Sequence, residues 1–335
     1  DPAERLPALS DLDPRAVSLG VMSKTYGLAG LRIGWIATQN ARLYRQAERE
    51  LAELRAYAAQ QQGVDELNPW DIAYYSELLR QHRYSISQEE VKPYFPVTGV
   101  VPGMFDVVGR LYGVTFQVVE GVDTWHPDVK FYEIRDHDGS LRGQFYFDLY
   151  ARQNKRGGAW MSSYRKQSAM DGERVLPLIV NVGNFTKPTA DTPSLLSLDE
   201  ANTLFHEFGH GLHGMLANTV YPGLSGTSVY WDFVELPSQI MENWCWEKEA
   251  LDLFARHVDT GETISAELFE KMTRARTFQS SMQMVRQLEF ALFDFRLHLE
   301  IANNESLDIQ QLLNEVRTEV AVVPAPDFNR FQHSF

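Results

Sequence analysis

The sequence predicts an α+β fold that is predominantly α-helical and contains one small β-sheet. Helical composition and patterning continue from Ser197 almost to Val323, whereas strand-like apolar runs are confined to residues 129–182. With 335 residues and 44% apolar content, the chain can form one large domain or two ordinary ones. The alternation of these signals places the sheet before the longest helical region.

The N-terminal third of the sequence contains three helical segments. Helix-forming residues in a polar-rich pattern run from Asn40 to Gln62 and end at Gly63, which predicts a largely exposed helix. Because the sequence changes character near residue 40, that point is a candidate boundary between segments 1–44 and 45–335. Prolines punctuate the following stretch, and the segments between them predict helices at 74–83 and 104–112.

The predicted sheet begins with a β-hairpin. Strand-like runs at 131–134 and 143–147 flank the turn 136–139, which ends in glycine. A further apolar run, 176–182, predicts another strand, followed by a loop at 183–188.

A helix with metal-binding potential follows the sheet. Ser197 and Glu200 have the spacing of a capping box, so the helix should begin at Leu198. Four residues separate His206 from His210, which puts both imidazoles on one face, with Glu207 beside them. Two neutral nitrogen ligands with an adjacent carboxylate suit a zinc ion that activates water.

A second acidic residue is predicted at the start of another helix. Pro237 is tolerated in a helix only within the first turn, so Glu235 should lie at the N-terminal end of that helix. The positive end of the helix dipole there favours the ionised carboxylate, which is the form that binds zinc.

These residues belong to a longer set of motifs that resembles a known family. The motifs are 206–213 (HEFGHGLH), 225–228 (SGTS), 234–239 (VELPSQ), 67–71 (LNPWD), 125–129 (WHPDV), 155–160 (KRGGAW) and 286–290 (RQLEF). In this order they are similar to the oligopeptidase A, peptidyl-dipeptidase and thimet oligopeptidase family of zinc metallopeptidases, over about residues 45–335. The resemblance implies a largely helical metallopeptidase domain with a small sheet, one zinc held by His206, His210 and Glu235, and Glu207 as general base.

Other residues near the motif leave alternatives open. Glu242, two helical turns after Glu235, is either a carboxylate that orients a ligand histidine or an exposed helix residue. His213 is predicted to be packed or solvated rather than a ligand, and Trp244 and Trp246 are predicted to be core residues. Strand 178–182 either binds substrate backbone along a sheet edge or is a buried structural strand.

The N-terminal segment resembles a different family. Residues 15–44 include 23–35 (SKTYGLAGLRIGW), which is similar to the lysine segment of pyridoxal-phosphate aminotransferases. That resemblance implies a cofactor on Lys24 and phosphate binding by Arg32. Because the rest of a cofactor domain has no room before residue 45, we expect no working aminotransferase site.

Composition limits the partners and the compartment. The formal net charge of −14 and the pI near 5.1 argue against nucleic acid and anionic membranes as partners. With Cys245 as the single cysteine and no signal-peptide pattern, a reducing cytoplasm is the predicted location. Oligomeric state is not predicted.

The predicted reaction is zinc-dependent hydrolysis of peptide bonds in short oligopeptides. The resemblance implies that the family's helical N-terminal wall and its C-terminal substrate-binding segment fall outside this sequence, so we expect weak or absent activity. A non-catalytic zinc-binding remnant is the alternative, and an aminotransferase fragment is a lesser one. The choice between endopeptidase and dipeptidyl-carboxypeptidase action stays open.

Overall fold

A computed structural model describes residues 17–21, 34–38, 41–64, 66–170, 172–301 and 306–333. Its strands are β1 (Val17–Val21), β2 (Gly34–Thr38), β3 (Thr115–Val118), β4 (Lys130–Arg135), β5 (Leu141–Tyr150), β6 (Trp160–Arg165) and β7 (Leu178–Phe185). Its α-helices are α1 (Ala41–Gln62), α2 (Ile72–Tyr84), α3 (Gln88–Val91), α4 (Val97–Tyr112), α5 (Leu198–Met215), α6 (Trp231–Val234), α7 (Leu236–Glu242), α8 (Lys248–Phe254), α9 (Ala266–Ala275), α10 (Ser280–Ile301) and α11 (Ile309–Val320). The predicted α+β class, mostly helical with a small sheet, is confirmed. Lys24 and Arg32 lie outside the described residues.

The chain divides into two compact units. One combines Asp1–Ser85 with Arg274–Phe335, and the other is Ile86–Thr273. The first unit therefore joins sequence segments from both ends of the chain, while the second holds the sheet of β3 to β7 and the motif helix α5. The boundary at residues 44 and 45 stays a prediction.

In the first unit, α1 buries a narrow apolar stripe. Ala47, Leu51, Leu54 and Ala58 are buried at spacings of three and four residues, while most of the other side chains on α1 are exposed. Ala47 and Leu51 belong to the same buried cluster as Met282 of α10. The helix is thus mostly exposed, as predicted, and its buried stripe supplies the packing that holds it in place.

In the second unit, five strands form a mixed sheet in the order β3-β4-β5-β7-β6. The pairs β3–β4, β4–β5 and β6–β7 are antiparallel, and β5–β7 is parallel. The predicted hairpin is therefore confirmed as β4–β5. Strands β3 and β6 were not predicted. Neither strand has a buried side chain, so neither lies in a strong apolar run of the kind that marks β5 and β7.

Strand β7 is an inner strand of this sheet. It pairs with β5 on one side and β6 on the other, and most of its side chains are buried. The interpretation of 178–182 as a sheet edge is therefore wrong, and the buried structural strand is the correct one. The strand also continues to Phe185, into the predicted loop, because Ala151 and the end of β5 still pair with it there.

An aromatic core joins the sheet to two helices of the second unit. Phe105 of α4 lies within ring-contact distance of Phe116, Phe145 and Phe147 on the strands and of Phe208 on α5. Phe208 thus anchors the buried face of the motif helix among the strand aromatics, with centroid separations of 5.5 to 5.7 Å to three of them.

Helix α4 begins at Val97, seven residues before the predicted start. Pro102 lies inside it, although proline was expected to end a helix there. Its ring removes one main-chain hydrogen bond, but Val100, Val101 and Met104 around it are buried. Tertiary burial therefore outweighs the local preference.

Candidate active site

The motif helix begins where the capping box predicts. The Glu200 backbone N–H donates to Ser197 Oγ at 3.1 Å, and the Ser197 N–H donates to Glu200 Oε2 at 2.8 Å. Two N-terminal N–H groups are thereby satisfied, which fixes the first turn at Leu198. Because the start of the helix is fixed, the rotational positions of residues 206, 207 and 210 are fixed as well.

Helix α5 has a buried face and a partly exposed face. The buried residues are Ala201, Leu204, Phe205, Phe208, Gly209, Gly211, Leu212 and Met215. His206, Glu207 and His210 lie between these positions and are half-buried. Their side chains are thus held by the helix yet keep access to solvent.

Three predicted ligands meet in space. Glu235 Oε2 lies 3.3 Å from His206 Nε2 and 3.0 Å from His210 Nε2. One candidate ligand atom from each residue lies within 4.8 Å of the other two. Among the described residues, His213 is not a member of this group, and its exclusion from the ligand set stays a prediction.

A close approach of two helices brings Glu235 to the histidines. Glu235 is the residue immediately before α7, and Pro237 lies in the first turn as predicted. A Cβ added at Gly209 would lie 2.6 Å from Ser238 Cα and 2.7 Å from the Pro237 carbonyl oxygen. Only glycine therefore lets the backbones of α5 and α7 pack this closely.

Ser238 of α7 also holds Glu235 in place. The Ser238 side chain is fully buried, and its Oγ lies 2.8 Å from the Glu235 carbonyl oxygen and 3.0 Å from Oε2. Hydrogen bonds from His206, His210 and Ser238 hold the pKa of Glu235 well below its usual range. The carboxylate is therefore ionised near neutral pH.

Glu242 orients the first histidine. Its Oε1 lies 2.6 Å from His206 Nδ1, which leaves Nε2 directed toward Glu235. Burial alone would lower the pKa of His206, but the hydrogen bonds to Glu235 and Glu242 outweigh it and raise the pKa to about 9. Of the two alternatives for Glu242, the structure supports the orienting carboxylate.

The remaining candidates near the motif have structural surroundings. Burial, followed by the nearby His210, lowers the pKa of His213, and its ring lies 6.2 Å from that of Phe233. Trp244 and Trp246 are half-buried rather than core residues, while Cys245 between them is fully buried. Burial raises the pKa of the Cys245 thiol, so it is not a reactive nucleophile.

Sequence reasoning missed Asn181, a buried polar residue on β7. Its Nδ2 donates to the Glu207 carbonyl oxygen at 2.6 Å, and its Oδ1 is buried without a hydrogen-bond partner. The bond ties the sheet to the motif helix at the residue predicted to be the base. An asparagine inside the otherwise apolar run 178–182 was the signal available in sequence.

A second missed feature is the charge cluster around Asp148, near the end of β5. Asp148 is almost fully buried and accepts hydrogen bonds from Arg152, Lys155 and the Trp125 indole. The cluster brings together two motifs that carry the family resemblance, 125–129 and 155–160, and it holds the loop that leads into β6.

No helix in the described part of the chain combines the length and apolar composition that a membrane crossing needs.

This chain resembles known peptidases. The family described as "Peptidase family M3" matches residues 34–335. Oligopeptidase A of Escherichia coli strain K12 is 53% identical over 292 residues, which are 87% of this chain and 43% of that protein. Organellar oligopeptidase A, chloroplastic/mitochondrial, of Arabidopsis thaliana is 38% identical over 298 residues, which are 86% of this chain and 38% of that protein. Dipeptidyl carboxypeptidase of Escherichia coli strain K12 is 38% identical over 298 residues, which are 87% of this chain and 43% of that protein.

The chain thus spans less than half the length of these curated relatives. The aminotransferase resemblance of residues 15–44 finds no support in the comparisons, and the family match extends into that segment from residue 34. The metallopeptidase resemblance is confirmed: the chain belongs to peptidase family M3.

Proposed function

We propose that this chain is the metal-binding core of a zinc peptidase that cleaves peptide bonds in short oligopeptides. The observation that supports it best is the convergence of His206, His210 and Glu235 from two helices, with one ligand atom of each within 4.8 Å of the others. Family membership and relatives named as oligopeptidases point to the same chemistry. Because the chain spans only part of those relatives, its activity and substrates are proposals.

The donor set fits zinc. Two imidazole nitrogens and one carboxylate oxygen are ligands that zinc accepts, and three protein ligands are the usual number in a catalytic site. Glu235 is ionised, and Glu242 on Nδ1 of His206 fixes the ring so that Nε2 faces the group. Zinc binding would release the proton that Glu235 and Glu242 otherwise stabilise on His206. When bound, the metal would act as a Lewis acid that makes water a nucleophile near neutral pH.

Glu207 is the proposed general base. It follows His206 directly on α5 and is half-buried, and its carboxylate is near enough for its negative charge to contribute to the raised pKa of His206. In this proposal Glu207 takes a proton from the attacking water and delivers it to the leaving amine. Asn181 holds the Glu207 carbonyl oxygen and thereby fixes the backbone that carries the base.

The edge strand β6 is the proposed place where substrate backbone pairs. In the described sheet, β6 pairs with β7 on one side and ends the strand order. Main-chain pairing along such an edge is independent of substrate side chains and suits a peptidase of broad specificity. The Asp148 cluster would position this edge through the loop that precedes it.

Metal analysis tests the ligand assignment without relying on turnover. We expect about one zinc per chain after dialysis, and loss of zinc in His206→Ala, His210→Ala and Glu235→Ala. His213→Ala is the matched control and should retain zinc. Circular dichroism of each variant separates loss of metal from loss of fold. Zinc release by His213→Ala alone would contradict the assignment.

Glu207→Gln separates metal binding from catalysis. The variant is nearly isosteric, so zinc content should not change, while any hydrolysis of a quenched fluorescent oligopeptide by the unmodified chain should fall by about a hundredfold or more. Unchanged hydrolysis would exclude Glu207 as the base. A zinc-loaded protein that hydrolyses no peptide would support the non-catalytic alternative instead.

A further inference from the structure

A cavity of about 470 Å³ lies in the first unit, and it contains none of the residues of the candidate active site. It is formed by the start of α2, the N-terminal half of α10 and the chain that follows α11. Its volume is in the range of small-ligand sites. The cavity raises the question of what it would bind.

The cavity wall contains polar hydrogens without partners. Gln279 is about nine-tenths buried and lines the cavity, and its Nε2 has no hydrogen-bond partner. The hydroxyl of Ser76, also in the wall, is buried and unpartnered. Buried donors without acceptors are uncommon in proteins, and an acceptor on a ligand would satisfy them.

The backbone at Gln279 is strained. Its φ is +52°, in the left-handed region that non-glycine residues rarely occupy. Such conformations cost energy and are found preferentially where a side chain must be held for a ligand. Gln279 ends the short turn between α9 and α10, and this turn holds its side chain in the cavity wall.

The charge balance of the cavity favours a single negative charge. Glu289 is paired with Arg317 at 2.8 Å, and both side chains are largely buried. Arg286 lies at the exposed rim, with its guanidinium 5.2 Å from the centre of the Phe290 ring. The Glu289–Arg317 pair is neutral overall, so Arg286 leaves one net positive charge on the cavity.

The rest of the wall is apolar. It is lined by Ile72, Met282, Val285, Val322, Pro324 and Phe331. At the adjoining surface, the exposed rings of Trp70 and Phe328 stack with centroids 6.4 Å apart. A ligand that fits both parts of the wall carries an anionic acceptor and an apolar side chain.

We propose that this cavity binds the carboxylate of an apolar amino acid, as a free acid or at the C-terminus of a short peptide. Arg286 supplies the charge, Gln279 Nε2 and the Ser76 hydroxyl supply hydrogen bonds, and the apolar wall receives the side chain. The proposal is independent of the zinc site, since the two share no residue.

Isothermal titration calorimetry with N-acetyl-leucine tests this proposal, with N-acetyl-leucinamide as the uncharged control ligand. We expect saturable binding of the acid with a Kd of about a millimolar or tighter, and binding of the amide at least about tenfold weaker. Arg286→Gln should weaken binding of the acid about tenfold or more. Arg55→Gln, the same change on the exposed face of α1, should leave it unaltered.

Gln279→Gly removes the proposed donor while relieving the left-handed backbone. This variant should weaken binding of the acid without lowering the melting temperature of the protein. If Gln279 had only a structural role, its replacement would lower the melting temperature instead. Equal binding of acid and amide, or absence of saturable binding, would overturn the proposal. So would binding that survives Arg286→Gln but is lost in Glu235→Ala, because the ligand would then be at the candidate metal centre.

Discussion

The buried carboxylate of Asp148 offers the sharpest test of how this fold is held together. Its side chain is about 3% exposed and accepts hydrogen bonds from Arg152 at 2.6 Å and from Lys155 at 2.8 Å. Lys155 is itself about 4% exposed. Asp148→Asn keeps the shape and an acceptor for the Trp125 indole, but it removes the charge that both cations face.

The magnitude follows from the pKa of Asp148. Burial alone would raise it, but hydrogen bonds from Arg152, Lys155 and Trp125 outweigh burial and lower the pKa from 3.8 to about 2. A difference of nearly two units between the unfolded and folded states corresponds to about 2 kcal/mol of stability at neutral pH. Leaving Lys155 buried without a counterion adds to the loss, so we expect Asp148→Asn to lower the free energy of unfolding by about 2–4 kcal/mol.

The pH dependence has a definite sign. Because the folded-state pKa lies below the unfolded value, the contribution of Asp148 is full above the unfolded pKa and is lost as pH falls through the folded pKa. The difference between wild type and Asp148→Asn should therefore be constant from pH 7 to pH 5. It should shrink by roughly half at pH 3.

Urea unfolding followed by circular dichroism and tryptophan fluorescence, at several pH values, measures this difference. Asp106→Asn is the matched control in the same unit, since Asp106 pairs with Arg110 at 2.9 Å but both side chains are at least half exposed. Its effect should be within about 0.5 kcal/mol. An Asp148→Asn effect as small as that of the control, or one that does not diminish toward pH 3, would refute the reasoning.

Three further predictions concern the candidate active site. Gly209→Ala puts a methyl group against the Ser238 backbone and should lower the free energy of unfolding by about 1–3 kcal/mol in urea. The control Gly157→Ala adds a methyl group that meets no atom within 4 Å and should change stability little. Equal effects of the two variants would contradict the close approach of the helices. Glu242→Gln removes the carboxylate charge that faces His206 Nδ1 and should weaken zinc affinity by about 10–100-fold in a chelator competition. Unchanged affinity would exclude the orienting role of Glu242. Asn181→Ala removes the donor to the Glu207 carbonyl oxygen and should lower kcat about tenfold, with zinc content and KM nearly unchanged. An unaltered kcat would show that this hydrogen bond serves only the fold.

The sequence by itself determined the features that depend on neighbouring residues. The Ser197–Glu200 capping box sets the start of α5, and the four-residue spacing then puts His206 and His210 on one face. The restriction of proline to the first turn likewise places Glu235 at the start of α7. These are short-range effects of backbone geometry and hydrogen bonding, so they can be inferred from the sequence without the fold.

Only the tertiary structure decided how those local features meet. Pairing between distant strands makes β7 an inner strand and leaves β6 at the edge, and an isolated segment has no feature that specifies its partners. The 3.0 Å approach of Glu235 to His210 depends on the backbone contact that Gly209 permits. The hydrogen bond from Asn181 to the Glu207 carbonyl oxygen joins residues that are 26 apart in sequence. Pro102 continues a helix because the side chains around it are buried, which is a property of the packed core. Such contacts depend on the arrangement of the whole chain, whereas sequence patterns report only the preferences of each segment.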